Sequence, residues 1–286
     1  MNLLISFCMM VTLSQAGSFT SEDHSVLTAS DVLERIKGEV TCPWSEETVD
    51  TFKSGNPSDG VTGIACTFMA TVDVLKEAAA KGLNLIITHE PTYYNHLDSR
   101  ERLENDPVYA AKQEIIDKNN LIIFRFHDHW HRTDPDGIYV GMTRKMVWDS
   151  YLVEGESNLF EFPGISLIHV TEHLKEVFPE ANLRIIGDPN LKIERAAFSA
   201  GAPGSAAHFR LLQRGDLNLL VIGEAPEWET IEYVRDASQA GLPMALVILG
   251  HVISEEAGMA YCAEWLQTFI PEVPVAFIEA GDPFHE

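Results

Sequence analysis

Two periodicities alternate along the chain. Leu85–Thr88, 121–126, 217–222 and 245–249 are short runs in which nearly every position is apolar, and the strand expected at 61–67 has a shorter apolar centre, Ile64-Ala65-Cys66. Between them, apolar residues recur at helical spacing. Short apolar runs bounded by turn residues are the pattern of strands buried on both faces, as in parallel sheets covered by helices. Helices are predicted from Ala29-Ser30-Asp31 onward, with Ser30 as cap and Val32, Leu33 and Ile36 as apolar face, and over 71–81, closed by Gly82. Further helices are predicted over Pro107–Lys118, with proline at the first position, and over 137–148, 171–178, 227–240 and 255–269. The small-residue loop 200–207 opens another that runs through Gln213. Remaining strands are expected at 165–168, Arg184–Ile186, 193–199 and 275–278. The fold class is therefore α/β without sequence repeats. A composition shift at 153–157 marks a boundary between a first α/β lobe, 29–152, and a second, 153–286, whose last helix and strand are free to pack back on the first.

Composition narrows the function classes. With 45% hydrophobic and 9% aromatic residues, the 286-residue chain can bury a substantial core. Its formal net charge of -23 repels phosphate backbones, and the one basic stretch, 125–132, is diluted by histidines and an aspartate. No nucleic-acid partner is expected. Residues 1–16 carry no charged side chain and end in Ser14-Gln15-Ala16 before Gly17, which reads as a signal peptide followed by a flexible leader, 17–28. Cleavage there places the protein outside the cytoplasm, periplasmic or secreted; retention leaves it cytoplasmic. No run reaches the roughly 18 apolar residues a membrane span needs, so no transmembrane segment is expected. The cysteines Cys8, Cys42, Cys66 and Cys262 form no CxxC pair, which leaves a thiolate zinc site and a disulfide scaffold without support. Cys66 and Cys262 read as small buried apolar residues.

The distinctive chemistry lies in three clusters, each directly after an apolar run. They are His89-Glu90 after Leu85–Thr88, His127-Asp128-His129-Trp130-His131 after 121–126, and His251 with Glu255 after 245–249. In open α/β sheets ligands bind beyond the carboxyl ends of strands, so all three clusters address the same rim. Imidazole nitrogen and carboxylate oxygen are ligands for first-row divalent metals. Together they offer more donors than one catalytic ion needs, which fits a two-metal site where paired ions activate a water and clamp an oxyanion. Glu224, also at a strand end, is a candidate general base or a partner of a ligand. The loop Gly201-Ala202-Pro203-Gly204-Ser205, at a helix start, is either an anion cradle or a tight turn. No GxxxxGK[ST] phosphate loop occurs. A glycosidase with paired carboxylates fits less well, because the prominent acids are interleaved with histidines.

From Leu27 onward the chain resembles the NGG-interacting factor 3-like proteins, also called GTP cyclohydrolase I type 2 homologues or dinuclear metal centre proteins. The residues that carry the resemblance are Asp31-Val32-Leu33-Glu34-Arg35-Ile36, Gly63-Ile64 leading to Asp73-Val74-Leu75-Lys76-Glu77-Ala78, and the His89 cluster. The segment 127–137, Ile222-Gly223-Glu224 and Gly250-His251-x3-Glu255-x2-Gly258 complete the set. The resemblance implies two α/β lobes with the metal site in the cleft between them, a hexameric ring, and two divalent ions (Zn, Mn or Fe). In that family the first cluster reads His-His and the second His-x3-Asp. Here Glu90 stands at the second histidine and His131 at the aspartate, so an imidazole and a carboxylate have traded places. The implied ligands are His89, Glu90, His131, His251 and Glu255, with His127, Asp128 and His129 as substitutes for His131. The implied activity is metal-dependent hydrolysis of a nucleotide- or phosphate-containing small molecule. The alternative is a non-catalytic, metal-binding, ring-forming scaffold.

Overall fold

The structure, a computed structural model, describes residues 26–284; the signal peptide expected at 1–16 lies outside them, as does most of the leader. The first sheet has the order β1-β4-β3-β2-β10. Its centre is β2 (Ile64–Thr67), β3 (Leu85–Thr88) and β4 (Ile122–Arg125), parallel strands in which every residue is buried. The short strand β1 (Phe52–Ser54) adds antiparallel to β4 at one edge. At the other edge β10 (Val275–Phe277) returns from the far end of the chain to pair parallel with β2.

The second sheet has the order β5-β7-β8-β9-β6. Here β7 (Lys192–Ser199), β8 (Leu219–Ile222) and β9 (Ala245–Ile248) are parallel, and β5 (Leu159–Ser166) and β6 (Arg184–Ile186) close the edges antiparallel. The continuous apolar runs are thus the parallel inner strands, as their two-sided burial requires. One apolar cluster, including Ile64, Ile87 and Phe124 of the first sheet and Phe198, Val221 and Val247 of the second, joins the two.

Helices α1 (Ala29–Glu39), α2 (Val72–Ala80), α3 (Pro107–Lys118), α4 (Asp128–Arg132), α5 (Gly137–Met146), α6 (Leu167–Val177), α7 (Ser205–Leu212), α8 (Glu232–Gln239) and α9 (Glu256–Gln267) fill the crossovers. Several carry the caps their sequences advertise. The Asp106 carboxylate accepts from Val108 and Tyr109, and that of Asp136 from Ile138 and Tyr139. The α1 cap is Thr28, whose hydroxyl and the Asp31 carboxylate form a reciprocal box; Ser30, expected there, instead donates to the Pro57 carbonyl.

Other departures have local causes. The strand expected at 165–168 ends at Ser166, because α6 begins at Leu167. The helix expected over 227–240 opens as a π-helical turn, Glu227–Ile231, whose wider ring lets Glu232 N–H reach the Glu227 carbonyl. Residues 128–132, carrying the histidine cluster, form the one-turn helix α4. Its first amides, together with that of His127, donate to the buried carboxylate of Asp50 (2.7–2.9 Å).

Among the described residues, no helix is long and apolar enough to cross a membrane. Cys66 and Cys262 are both fully buried, as small apolar residues would be.

Candidate metal centre

The strands of both sheets end at this site. His89 and Glu90 follow β3, and His127 with α4 follows β4. From the second sheet come Gly201 after β7, Glu224 after β8, and His251 and Glu255 between β9 and α9. The turn 251–255 brings Glu255 back under His251, with His251 Nε2 3.1 Å from Glu255 Oε2. Ser254 donates to the His251 carbonyl and accepts from Gly201 N–H, so it ties that turn to the β7 loop.

His89 is the most informative residue of the set. Its ring is fully buried, and Nδ1 lies 3.3 Å from the Phe126 carbonyl, which can only accept. The proton therefore sits on Nδ1, leaving the Nε2 lone pair facing inward, and that atom has no hydrogen-bond partner. A buried polar atom left unpaired is costly unless something occupies its lone pair. Burial, reinforced by the His131 and His127 rings, holds the His89 imidazole well below its usual range and keeps it neutral, the state a ligand needs.

Two more histidines are oriented the same way. His127 Nδ1 lies 3.0 Å from Asp128 Oδ1, and His131 Nδ1 lies 3.0 Å from Asp136 Oδ2. A carboxylate on one ring nitrogen fixes the tautomer and raises the basicity of the other. Asp128 therefore acts behind His127; its second oxygen accepts from Thr48 and from Val49 N–H. Although burial raises the carboxyl, the His127 contact first and then these two bonds hold it down to about 2.

Glu255 Oε2 is 3.7 Å from His89 Nε2, and Oε1 is 3.8 Å from His131 Nε2. Glu90 Oε1 is 3.6 Å from His127 Nε2 and 3.5 Å from His251 Nε2. Two donors about 2.1 Å from one ion at the tetrahedral angle stand roughly 3.4 Å apart. The spacings are of that size, and the triads His89-His127-His131 and His89-Glu90-Glu255 each present convergent donor atoms. The residues present thus fit divalent ions.

Burial disfavours charge on His251, yet Glu255 and Glu90 outweigh it and push the ring up to about 10. The same partners act on Glu90 in reverse: burial raises its carboxyl, but His251, His127 and Arg125 prevail and lower it. An imidazolium between two carboxylates is a local arrangement of charge that a bound cation would replace.

The structure separates the predicted residues into those that converge and those that do not. His89, Glu90, His131, His251 and Glu255 come together, and His127 joins them. His129 turns away: Nδ1 is 2.6 Å from Asp50, Nε2 accepts from Ser45 N–H, and the ring stacks on Trp44 at 3.7 Å. With both nitrogens engaged it offers no lone pair, which corrects its place among the substitutes. Glu224 is half-exposed, with Oε1 3.6 Å from His251 Nδ1 on the side of the ring away from the other ligands.

Sequence reading missed Asp50 and Asp136, and it gave Arg125 and Gly201 no part in placing the ligands. The arginine alone had a visible signal, a single cation inside the apolar run Ile122-Ile123-Phe124-Arg125-Phe126. Gly201, at φ +61°, packs so closely on Glu255 that a Cβ would overlap Oε1. The loop it opens therefore includes a required close approach at its first residue.

Comparison with known proteins agrees in extent with this architecture. The Duf34/NIF3 family (NGG1p interacting factor 3) matches residues 27–283. A protein of Clostridium perfringens named GTP cyclohydrolase 1 type 2 homolog is 23% identical over 242 residues, 80% of this chain and 88% of its own. A protein of the same name from Clostridium acetobutylicum is 23% identical over 212 residues, 70% and 75% of the two chains. Among solved structures, a hypothetical protein of Staphylococcus aureus shares the fold at a TM-score of 0.68, with 16% identity over 92% of this chain and all of the other. A Bacillus cereus protein related to NIF3 does so at 0.67, with 13% identity over 92% of this chain and all of the other. With the family model spanning residues 27–283 and the fold shared with its solved structures, the chain belongs to the Duf34/NIF3 family.

Proposed function

We propose that this protein binds two divalent metal ions (Zn, Mn or Fe) through His89, Glu90, His127, His131, His251 and Glu255, and acts as a hydrolase on a nucleotide- or phosphate-containing small molecule. The observation that carries the reading is the buried, unpartnered Nε2 of His89, aimed at a ring of imidazoles and carboxylates. Bound ions of this kind lower the pKa of a coordinated water and neutralise charge on a substrate oxyanion. The chain's own residues supply the rest. Phe126 O, Asp128 and Asp136 hold three rings in the ligating tautomer. Glu224 stands outside the ligand set, half in solvent, where its carboxylate can steady His251 and accept a released proton.

The test is metal analysis of the purified protein, then turnover of nucleoside triphosphates and of bis(p-nitrophenyl) phosphate with added Mn²⁺, Zn²⁺ or Fe²⁺. Two ions per chain and turnover lost in His89→Ala/His251→Ala support the reading. Well under one ion per chain, or undiminished loading in that variant, overturns it. A fully loaded but inert protein favours the non-catalytic scaffold instead. Assembly as a ring and export after cleavage before Gly17 are separate proposals, tested by sedimentation velocity and by the intact mass of the mature chain.

A further inference from the structure

A buried arginine at the end of β4 is not accounted for by the ligand set. Arg125 has no exposed surface, and taking a guanidinium out of water is expensive unless its donors are matched. Its Nε–H donates to the His89 carbonyl at 3.0 Å, and Nη1 donates to the His96 carbonyl at 2.6 Å. The remaining nitrogen, Nη2, lies 3.4 Å from Glu90 Oε2.

Asp98 is the other acid nearby, with Oδ2 3.8 Å from Nη1, but Lys53 shares the same oxygen at 3.5 Å. Two cations therefore face two carboxylates, and Glu90 is the acid that balances Arg125. A planar guanidinium pinned at two nitrogens by main-chain carbonyls cannot swing, so Nη2 offers its proton at a fixed point. Glu90 is divided accordingly: Oε2 is tethered to Arg125, and Oε1 faces His127 and His251.

We propose that Arg125 is a positioning residue for metal ligation, holding Glu90 so that Oε1 alone is presented to a divalent ion. An untethered carboxylate could chelate through both oxygens or bridge two ions. The tether turns Glu90 into a single-atom donor, with one contact point as an imidazole has. The inference rests on the metal-binding reading above and specifies how one of its ligands is aimed.

The experiment titrates the metal-free full-length chain with Co²⁺, followed by calorimetry and by the visible d–d absorption, in wild type, Arg125→Gln, Glu90→Gln and the double variant. Loss of the outer partner of a ligand weakens metal binding by roughly 10–100-fold. Arg125→Gln is expected to weaken one of the two Co²⁺ equivalents to that extent and to shift the absorption. In the Glu90→Gln background the same change should add less than about twofold, because the two residues act through one contact. An Arg125→Gln effect of equal size with and without Glu90, or no effect at all, overturns the proposal. If Arg125→Gln does not fold, Arg125→Lys decides: it keeps the charge without the fork, so an intermediate loss supports the proposal and unaltered Co²⁺ affinity refutes it. Failure of the wild type to take up Co²⁺ removes the metal-binding reading itself and the proposal with it.

Discussion

At the scale of single residues, the site depends on groups placed behind the ligands. Gly201 shows this through sterics. A Cβ there would overlap Glu255 Oε1 and lie 2.8 Å from its Cδ, at a φ of +61° that side chains rarely adopt. Gly201→Ala is expected to displace Glu255 and weaken Zn²⁺ or Mn²⁺ binding by roughly tenfold or more, with a stability loss of about 1 kcal/mol. Calorimetric titration and urea unfolding read the two effects, and an unaltered metal affinity would show that the close approach does not matter. Lys112 gives a pH-dependent case away from the ligands. It is buried, donates to the Thr92 carbonyl at 2.7 Å, and burial lowers it from 10.5 to about 8, with Asp98 only partly opposing. Between those values the unfolded chain binds the proton and the folded one does not, so this lysine makes stability rise with pH from about 8 to 10.5. The urea midpoint of the wild type should gain on that of Lys112→Met across this window. Parallel midpoints would show that Lys112 is not titrating as its burial requires.

At the scale of elements, the crossing of α5 on α9 brings the second cluster close to the third. Gly141 and Gly258 make the crossing close: a Cβ on Gly141 would meet the Ala257 carbonyl and stand 2.6 Å from Gly258 Cα, and one on Gly258 would reach Ile138 at 2.5 Å. Trp130 of α4 is locked into the same crossing by its indole N–H, 3.3 Å from the Gly258 carbonyl. Gly141→Ala should therefore cost about 1–3 kcal/mol by overpacking. Gly38 in α1, where a Cβ meets nothing within 4 Å, is the matched control, and Gly38→Ala should stabilise by about 0.5–1 kcal/mol. Thermal melts of the two variants test the pair, and equal shifts would refute the crossing argument.

At the scale of the whole molecule, the ligands are divided between two sheets. His89, Glu90, His127 and His131 come from the first, and His251 and Glu255 from the connection that leaves the second. A bound ion would bridge the two sheets and would be lost when either unfolds. Metal at about 100 times its dissociation constant adds roughly 2.7 kcal/mol to folding, which for a chain of this size is a rise of about 4–5 °C in Tm. Scanning calorimetry with EDTA and then with excess Zn²⁺ or Mn²⁺ measures it, and coincident melts would argue against a bridging site. The net charge of -23 works in the same direction, since an acidic molecule concentrates divalent cations near its surface.

The sequence by itself determined the inner strands. Leu85-Ile86-Ile87, 219–222 and 245–249 are apolar at consecutive positions, and runs this short bounded by turn residues are buried as strands covered on both faces. It also determined the strand-end address of the three clusters, because a polar residue directly after a buried strand must emerge at the sheet's rim. The limits of that reading lie in long-range contacts. In the run 127–131, His127, His129 and His131 are equivalent by composition; α4 turns His127 and His131 inward, while Asp50 and Ser45 capture His129. Those partners are about 80 residues away in sequence, a separation no local pattern encodes. The charge of Arg125 was legible and its partner was not, because strand alternation gives the face of a side chain and not what lies across from it. Tertiary structure alone decided which imidazole nitrogens were left unpaired, and through them where a metal ion could be held.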